Sequence, residues 1–380
     1  MPDKIKLLIV EDNPLDQEIY LDSIDILNME ISPNFEIEPI VRSDKQAGLD
    51  AINTMKDDLN GAFIDLKLAT GQAVGVSEGN DLIGEIYQKL RFPIIVLTNT
   101  PGDFNGDFKT SLFLQVINKT DADYGQIIMY LINIYQTGIT KILGRKGLVE
   151  KMLDEIFWKN ISNTLGEWLQ IEDSEKPLLR YTLTHLQEHL EISDDGSEFD
   201  IVYPIENYIV PSIKDYFFTG DIIIENNNNH KRYVILNPAC DLAPHGEQKK
   251  PKATQVVIAE IQSFEDTPLG TSIKKAKMEP SNNDEAMAVE KARDSIFKLI
   301  TNNGSPQYYY LPDTTIIKGG LINFQRIASI KYTELVNYRK EATITSSFVK
   351  DIIAKFSFYY SRQGSPDFDF ARILAYHTTK

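Results

Sequence analysis

Five side chains in the first third of this chain have the types and the order needed to move a phosphoryl group. Glu11 and Asp12 close the apolar run Leu7-Leu8-Ile9-Val10, Asp65 closes Phe63-Ile64, Thr98 closes Ile94-Ile95-Val96-Leu97, and Lys119 follows Val116-Ile117-Asn118. Such runs read as parallel strands buried on both faces, and in an open α/β sheet their carboxyl ends open into the crevice where ligands bind. The polar ends should therefore converge. Three carboxylates offer hard oxygens to Mg2+, Asp65 can attack a phosphoryl group, and Thr98 and Lys119 can hold the phosphoryl oxygens afterwards. The plainer reading of the same residues is a doubly wound domain whose strand-end polar groups cap helices.

These four separated elements, in this order, resemble the receiver domain of two-component response regulators over residues 1–140. The resemblance implies an α/β fold, a five-stranded parallel doubly wound (flavodoxin-like) sheet. It makes Glu11 and Asp12 the acidic pair, Asp65 the phosphoacceptor, Thr98 the switch hydroxyl and Lys119 the salt-bridging lysine, with the backbone carbonyl of Lys67 as a further Mg2+ ligand. A sensor histidine kinase is the implied phosphoryl donor, and self-catalysed phosphotransfer the implied activity.

Departures from that pattern are equally specific. Ala69 replaces a usual proline, and Thr70 to Asn80 form a Gly-rich insertion that predicts a mobile flap. Thr120 stands where a proline usually follows the lysine, and Val116 where an aromatic switch residue is usual. Asn99 to Asp107 carry too much Gly, Pro and Asn for a good fourth helix. Lys67 sits where receivers tune the lifetime of the phosphate; it either screens the acyl phosphate or points into solvent.

The 380 residues suggest two or three domains of ~150 residues each. A net charge of −16 argues against a DNA-binding output, which needs a basic face. One cysteine, no cationic leader and no apolar run near the ~18 residues of a membrane span predict a cytoplasmic protein without structural disulfides or membrane association. Asp121 is expected to cap a last receiver helix through Tyr135, followed by a helical connector over 141–195 with helices over 147–169 and 176–191. From 196 to 380 the pattern turns to hairpins and predicts an α+β output or interaction domain. Its elements are a hairpin about the Asn226–Asn229 tract, strands at 255–261 and 307–311, and helices at 284–301 and 347–360.

Two short motifs, Asn237-Pro238-Ala239-Cys240-Asp241-Leu242-Ala243 and Arg362 followed by Gly364-Ser365-Pro366-Asp367, resemble a family of bacterial proteins that accompany receivers in antiphage defence. The whole chain is similar to the receiver-bearing component of Detocs-type systems. That similarity implies a phosphate sink restraining a separate effector protein, the second domain binding a kinase, an effector or another copy of the chain as a homodimer. The alternatives are a phosphorylation-gated enzyme using Cys240, Asp241 and His245, or a phospho-switched regulator binding protein or DNA. A lone Cys ending an apolar strand reads instead as a small buried hydrophobe. The string His185-Leu186-Gln187-Glu188-His189, with Glu260 downstream, matches an inverted zinc-protease motif, but reads as a solvated helix face.

Overall fold

The protein is described by a computed structural model over residues 2–30, 35–68, 78–189, 201–226, 231–245, 250–362 and 367–379, and divides into two compact units, residues 1–200 and 201–380. In the first unit, five strands lie parallel: β1 (Asp3–Val10), β2 (Phe35–Arg42), β3 (Leu59–Ile64), β4 (Ile94–Thr98) and β5 (Leu114–Asn118). Their order is β2-β1-β3-β4-β5, the flavodoxin-like order with its reversal beside β1. Four helices cover the sheet, α1 (Pro14–Glu30), α2 (Lys45–Met55), α3 (Glu78–Lys89) and α4 (Tyr124–Gln136).

Side-chain alternation along the strands divides the core in two. Ile5, Leu7 and Ile9 pack with Phe63, Leu97 and the apolar stripes of α1 and α4. Leu8 and Val10 pack with Ala62, Ile64, Val96 and the stripes of α2 and α3. With both faces covered, the stretches 7–10, 61–64 and 94–97 are free of polar side chains, and Glu11, Asp65 and Thr98 follow at the carboxyl edge.

The segment between β4 and β5 contains only a 3-10 turn, Pro101–Asp103, so the eroded fourth helix expected from its Gly and Pro content is absent. Asp123, not Asp121, caps α4: its carboxylate accepts from the Gln126 N–H at 3.0 Å. The reason is local, because Lys119–Asp121 are taken up in a 3-10 turn that the Asn118 side chain closes on the Thr120 N–H. Of the Gly-rich insertion Thr70 to Asn80, residues 70–77 lie outside the described residues, and its last three, Glu78, Gly79 and Asn80, are already in α3.

Beyond α4 come α5 (Ile139–Leu143), α6 (Leu148–Ile156), α7 (Leu165–Trp168) and α8 (Glu175–Glu188). The single helix predicted over 147–169 is broken after α6 by a π-helical stretch, Phe157–Ile161, and a 3-10 turn, Ser162–Thr164. Ser162 and Asn163 donate from their side chains to the Trp158 and Lys159 carbonyls, competing with the regular backbone ladder there.

The second unit is built on seven antiparallel strands, β6 (Tyr208–Ile209), β7 (Asp221–Glu225), β8 (Arg232–Ile235), β9 (Gln255–Gln262), β10 (Tyr308–Leu311), β11 (Gly320–Lys331) and β12 (Tyr338–Ile344), in the order β10-β11-β9-β8-β7-β12-β6. Its helices are α9 (Ala239–Leu242), α10 (Pro268–Ala276), α11 (Asn283–Ile300), α12 (Ser346–Ser361) and α13 (Phe370–Thr378). The β7–β8 hairpin forms as predicted, with Ile222 opposite Val234, while Asn227–Asn229 at its turn lie outside the described residues. Among the described residues no helix is long and apolar enough to cross a membrane.

One close approach fixes the loop that follows β3. The Gly79 N–H donates to the Leu66 carbonyl at 3.2 Å, and a Cβ on Gly79 would run into the Asp65 carbonyl oxygen and come within 2.7 Å of Leu66 Cα. Gly79→Ala is expected to cost about 1–3 kcal/mol in denaturant unfolding. Gly102→Ala, where a Cβ meets nothing within 4 Å, should leave the midpoint nearly unchanged.

Candidate functional site

The strand ends bring Glu11, Asp12, Asp65 and Lys119 into one pocket. Asp65 is held at the end of β3 by its N–H, which continues the ladder onto the Val10 carbonyl at 3.0 Å. Glu11 is anchored in the same way through the Arg42 carbonyl at 3.0 Å. From the end of β5, the Lys119 ammonium reaches Glu11 Oε2 at 2.7 Å and Asp65 Oδ2 at 2.8 Å. A third carboxylate, Asp16 Oδ2 in the first turn of α1, lies 2.7 Å from the same nitrogen. The remaining Glu11 oxygen accepts from the Asn13 N–H at 3.1 Å, and Asp65 Oδ1 accepts from the Lys67 N–H at 3.3 Å.

The Glu11 and Lys119 side chains are buried, and the pKa of each is shifted. The Glu11 side chain is 1% exposed and that of Lys119 8%. Burial pushes the Glu11 carboxyl up to about 7, against the pull of Lys119. Burial alone would push the Lys119 ammonium down, but hydrogen bonds to Asp16, Asp65 and Glu11 outweigh it and raise it. One oxygen from each of Glu11, Asp12 and Asp65 lies within 4.8 Å of the other two. Adjacent ligands of an octahedral Mg2+ are about 3 Å apart and opposite ones about 4 Å, so three hard oxygens at this separation fit such an ion with little closure.

Thr98 is buried at the end of β4, paired in register with Asn118, the residue before Lys119. Its hydroxyl accepts from the Thr100 N–H at 3.3 Å. The Lys67 ammonium pairs with Asp103 Oδ2 at 3.0 Å, both groups about half exposed, and Lys67 with Thr100 holds the Asp103 carboxyl below its ordinary value. Val116 packs half-buried against the α2–α3 side of the core.

Asp16 escapes a reading of strand ends because an acid in the first helical turn is already accounted for by the helix dipole. The signal that could have found it is its place four residues after Asp12, one helical turn beyond the acidic pair.

The second unit corrects the reading of Cys240. Its side chain is exposed rather than buried. After Pro238, Ala239–Leu242 form a single helical turn in which Leu242 takes the buried position, leaving Cys240 on the outer side. The thiol donates to Asp241 Oδ1 at 3.7 Å, whereas His245 Nε2 engages the Cys240 carbonyl oxygen at 2.6 Å. The imidazole therefore serves the backbone, and no thiol–imidazole pair is formed. His185 is on α8 of the first unit and His189 is the C-cap that ends it, the His185 ring edge-on to Tyr181 at 4.4 Å. Glu260 is on β9 of the second unit, paired with Arg326 at 3.1 Å. Among the described residues the only group with metal-ligand proximity is Glu11, Asp12 and Asp65.

No protein-family model and no curated protein matches this sequence. Among solved structures, a CheY-like receiver domain from Methanospirillum hungatei matches at 14% identity, covering 36% of this chain and 96% of its own, with a TM-score of 0.25. The N-terminal domain of a response regulator/sensory box/GGDEF protein from Carboxydothermus hydrogenoformans matches at 15% identity over 35% of this chain and 98% of its own, TM-score 0.24. A bacteriophytochrome response regulator matches at 22% identity, 36% and 95% coverage, TM-score 0.27. The strand order and the helices on both faces make the N-terminal sheet a flavodoxin-like, doubly wound fold.

The raised Glu11 carboxyl sets a sign for pH. The folded, metal-free protein binds a proton there that the unfolded chain releases near 4.5, so Glu11's contribution to stability is full below about 4.5 and is lost as pH rises to about 7. Denaturant midpoints measured in EDTA should fall across that window, by at most ~1.4 kcal/mol per pH unit from this group, and Glu11→Gln should flatten the fall.

Proposed function

We propose that this chain is a response regulator that accepts a phosphoryl group on Asp65. The observation that carries the reading is the Lys119 ammonium bonded to both Asp65 and Glu11, beside a three-carboxylate cluster at the carboxyl edge of the sheet. An Asp65 oxygen forms the new bond to phosphorus as the phosphorus–nitrogen bond of a kinase phosphohistidine breaks, and the departing imidazole takes up a proton. Lys119 and the Thr98 hydroxyl then hold the phosphoryl oxygens. Glu11, Asp12, Asp65 and the Lys67 carbonyl are the residues that would hold Mg2+, which supplies positive charge against that of the incoming group. A sensor histidine kinase is the donor in this reading.

The same geometry favours a phosphate sink over a conformational switch. A modification shifts an equilibrium only through contacts that differ between two states. Here Val116 replaces the aromatic switch, and a 3-10 turn stands where the output helix of a receiver would be. With Cys240 and His245 unpaired as nucleophile and base, the second unit is read as a binding module for an effector protein in an antiphage system, not as an enzyme.

Incubation with radiolabelled acetyl phosphate or a phosphorylated sensor kinase should label the wild-type protein in the presence of Mg2+. EDTA or Asp65→Asn should abolish the label, and Asp65→Glu should behave as a loss of the acceptor rather than as an activated form. Undiminished labelling of Asp65→Asn would overturn the assignment.

A further inference from the structure

The three protons of the Lys119 ammonium are matched by three carboxylates, Glu11 and Asp16 at 2.7 Å and Asp65 at 2.8 Å. Two of these partners also belong to the group of oxygens close enough to share a metal ion; Asp16 does not. Asp16 is also the odd one by origin, since it comes from α1 while Glu11 and Asp65 come from strand ends.

Any divalent cation drawn in by Glu11 and Asp65 competes with Lys119 for their oxygens. A lysine 8% exposed that loses both partners would be left charged and unpaired in a buried position next to a second cation. That is an expensive state, resolved by expelling either the lysine or the metal. A third carboxylate outside the metal group removes the conflict, because the ammonium keeps one charged hydrogen bond throughout.

We propose that Asp16 is a positioning residue that retains the Lys119 ammonium in the pocket when Glu11 and Asp65 turn to a metal ion. This rests on the reading of the pocket as a metal-dependent phosphoacceptor site and adds a residue that acts through Lys119, touching neither metal nor phosphate. Asp16 thereby makes metal uptake and retention of the lysine compatible, and Lys119 stays available to the phosphoryl oxygens.

The test is a double-mutant cycle on Mn2+ affinity, with the full chain and Mn2+ alone, free ion being read by electron paramagnetic resonance. Loss of a nearby negative charge weakens cation binding whether or not Lys119 is present; loss of the lysine's retaining partner weakens it only when Lys119 is present. Asp16→Asn should therefore reduce Mn2+ affinity by a factor roughly fivefold larger in the Lys119 protein than in Lys119→Met, and Asp16→Glu should retain most of the affinity. Lys119→Gln closes the same cycle if Lys119→Met does not fold. Equal factors in the two backgrounds would overturn the role of Asp16 while leaving the phosphoacceptor reading intact. Absence of Mn2+ binding by the wild-type protein would overturn both. Failure of Asp65 to take label alongside an intact coupling would overturn only the phosphoacceptor reading.

Discussion

The first unit is organised around one buried ammonium. Lys119 sits among Glu11, Asp16 and Asp65, with Asp12 alongside, so four formal negative charges face one positive charge. Like charges ~4 Å apart at an effective dielectric near 20 repel by about 4 kcal/mol, so such a cluster persists only with a proton or a cation to moderate it. Glu11 takes up the proton option in the metal-free state, its carboxyl lifted to about 7 by burial. The same imbalance makes the pocket receptive to a divalent ion. The rest of the unit serves to hold these groups at this distance, through parallel ladders that fix the strand ends and a glycine that lets α3 approach the Asp65–Leu66 backbone.

The strand ends are legible in the sequence because both faces of the sheet are covered. The central stretches 7–10, 61–64 and 94–97 are wholly apolar, so the end of each run marks a polar residue at the carboxyl edge. Helix contributions are less legible. Asp16 looks like any acid in a first turn, and Asp121 and Asp123 are equally good caps until the 3-10 turn after Lys119 decides between them. The break after α6 depends on side chains of Ser162 and Asn163 that turn back on their own backbone, which periodicity does not register.

The second unit is harder to read for a physical reason. The β11 strand shifts register against β9 between Asn323 and Ile327, and its later half is largely exposed, so neither clean alternation nor a continuous apolar run marks it. Cys240 shows the converse error: a residue that follows an apolar strand is taken for core, yet Pro238 starts a helical turn that hands the buried position to Leu242. A strand-based expectation fails there because the period of the chain changes from two to 3.6 within three residues.

The central claim is chemical, that the protein carries an acyl phosphate on one carboxylate of this cluster. The most direct measurement is reduction of the phosphorylated protein with borohydride followed by tandem mass spectrometry, because an aspartyl phosphate is reduced to homoserine at the modified position. The account predicts homoserine at residue 65, formed only when Mg2+ accompanied phosphorylation. Reduction at any other residue, or a phosphate that survives as a phosphohistidine or phosphoserine, would contradict it.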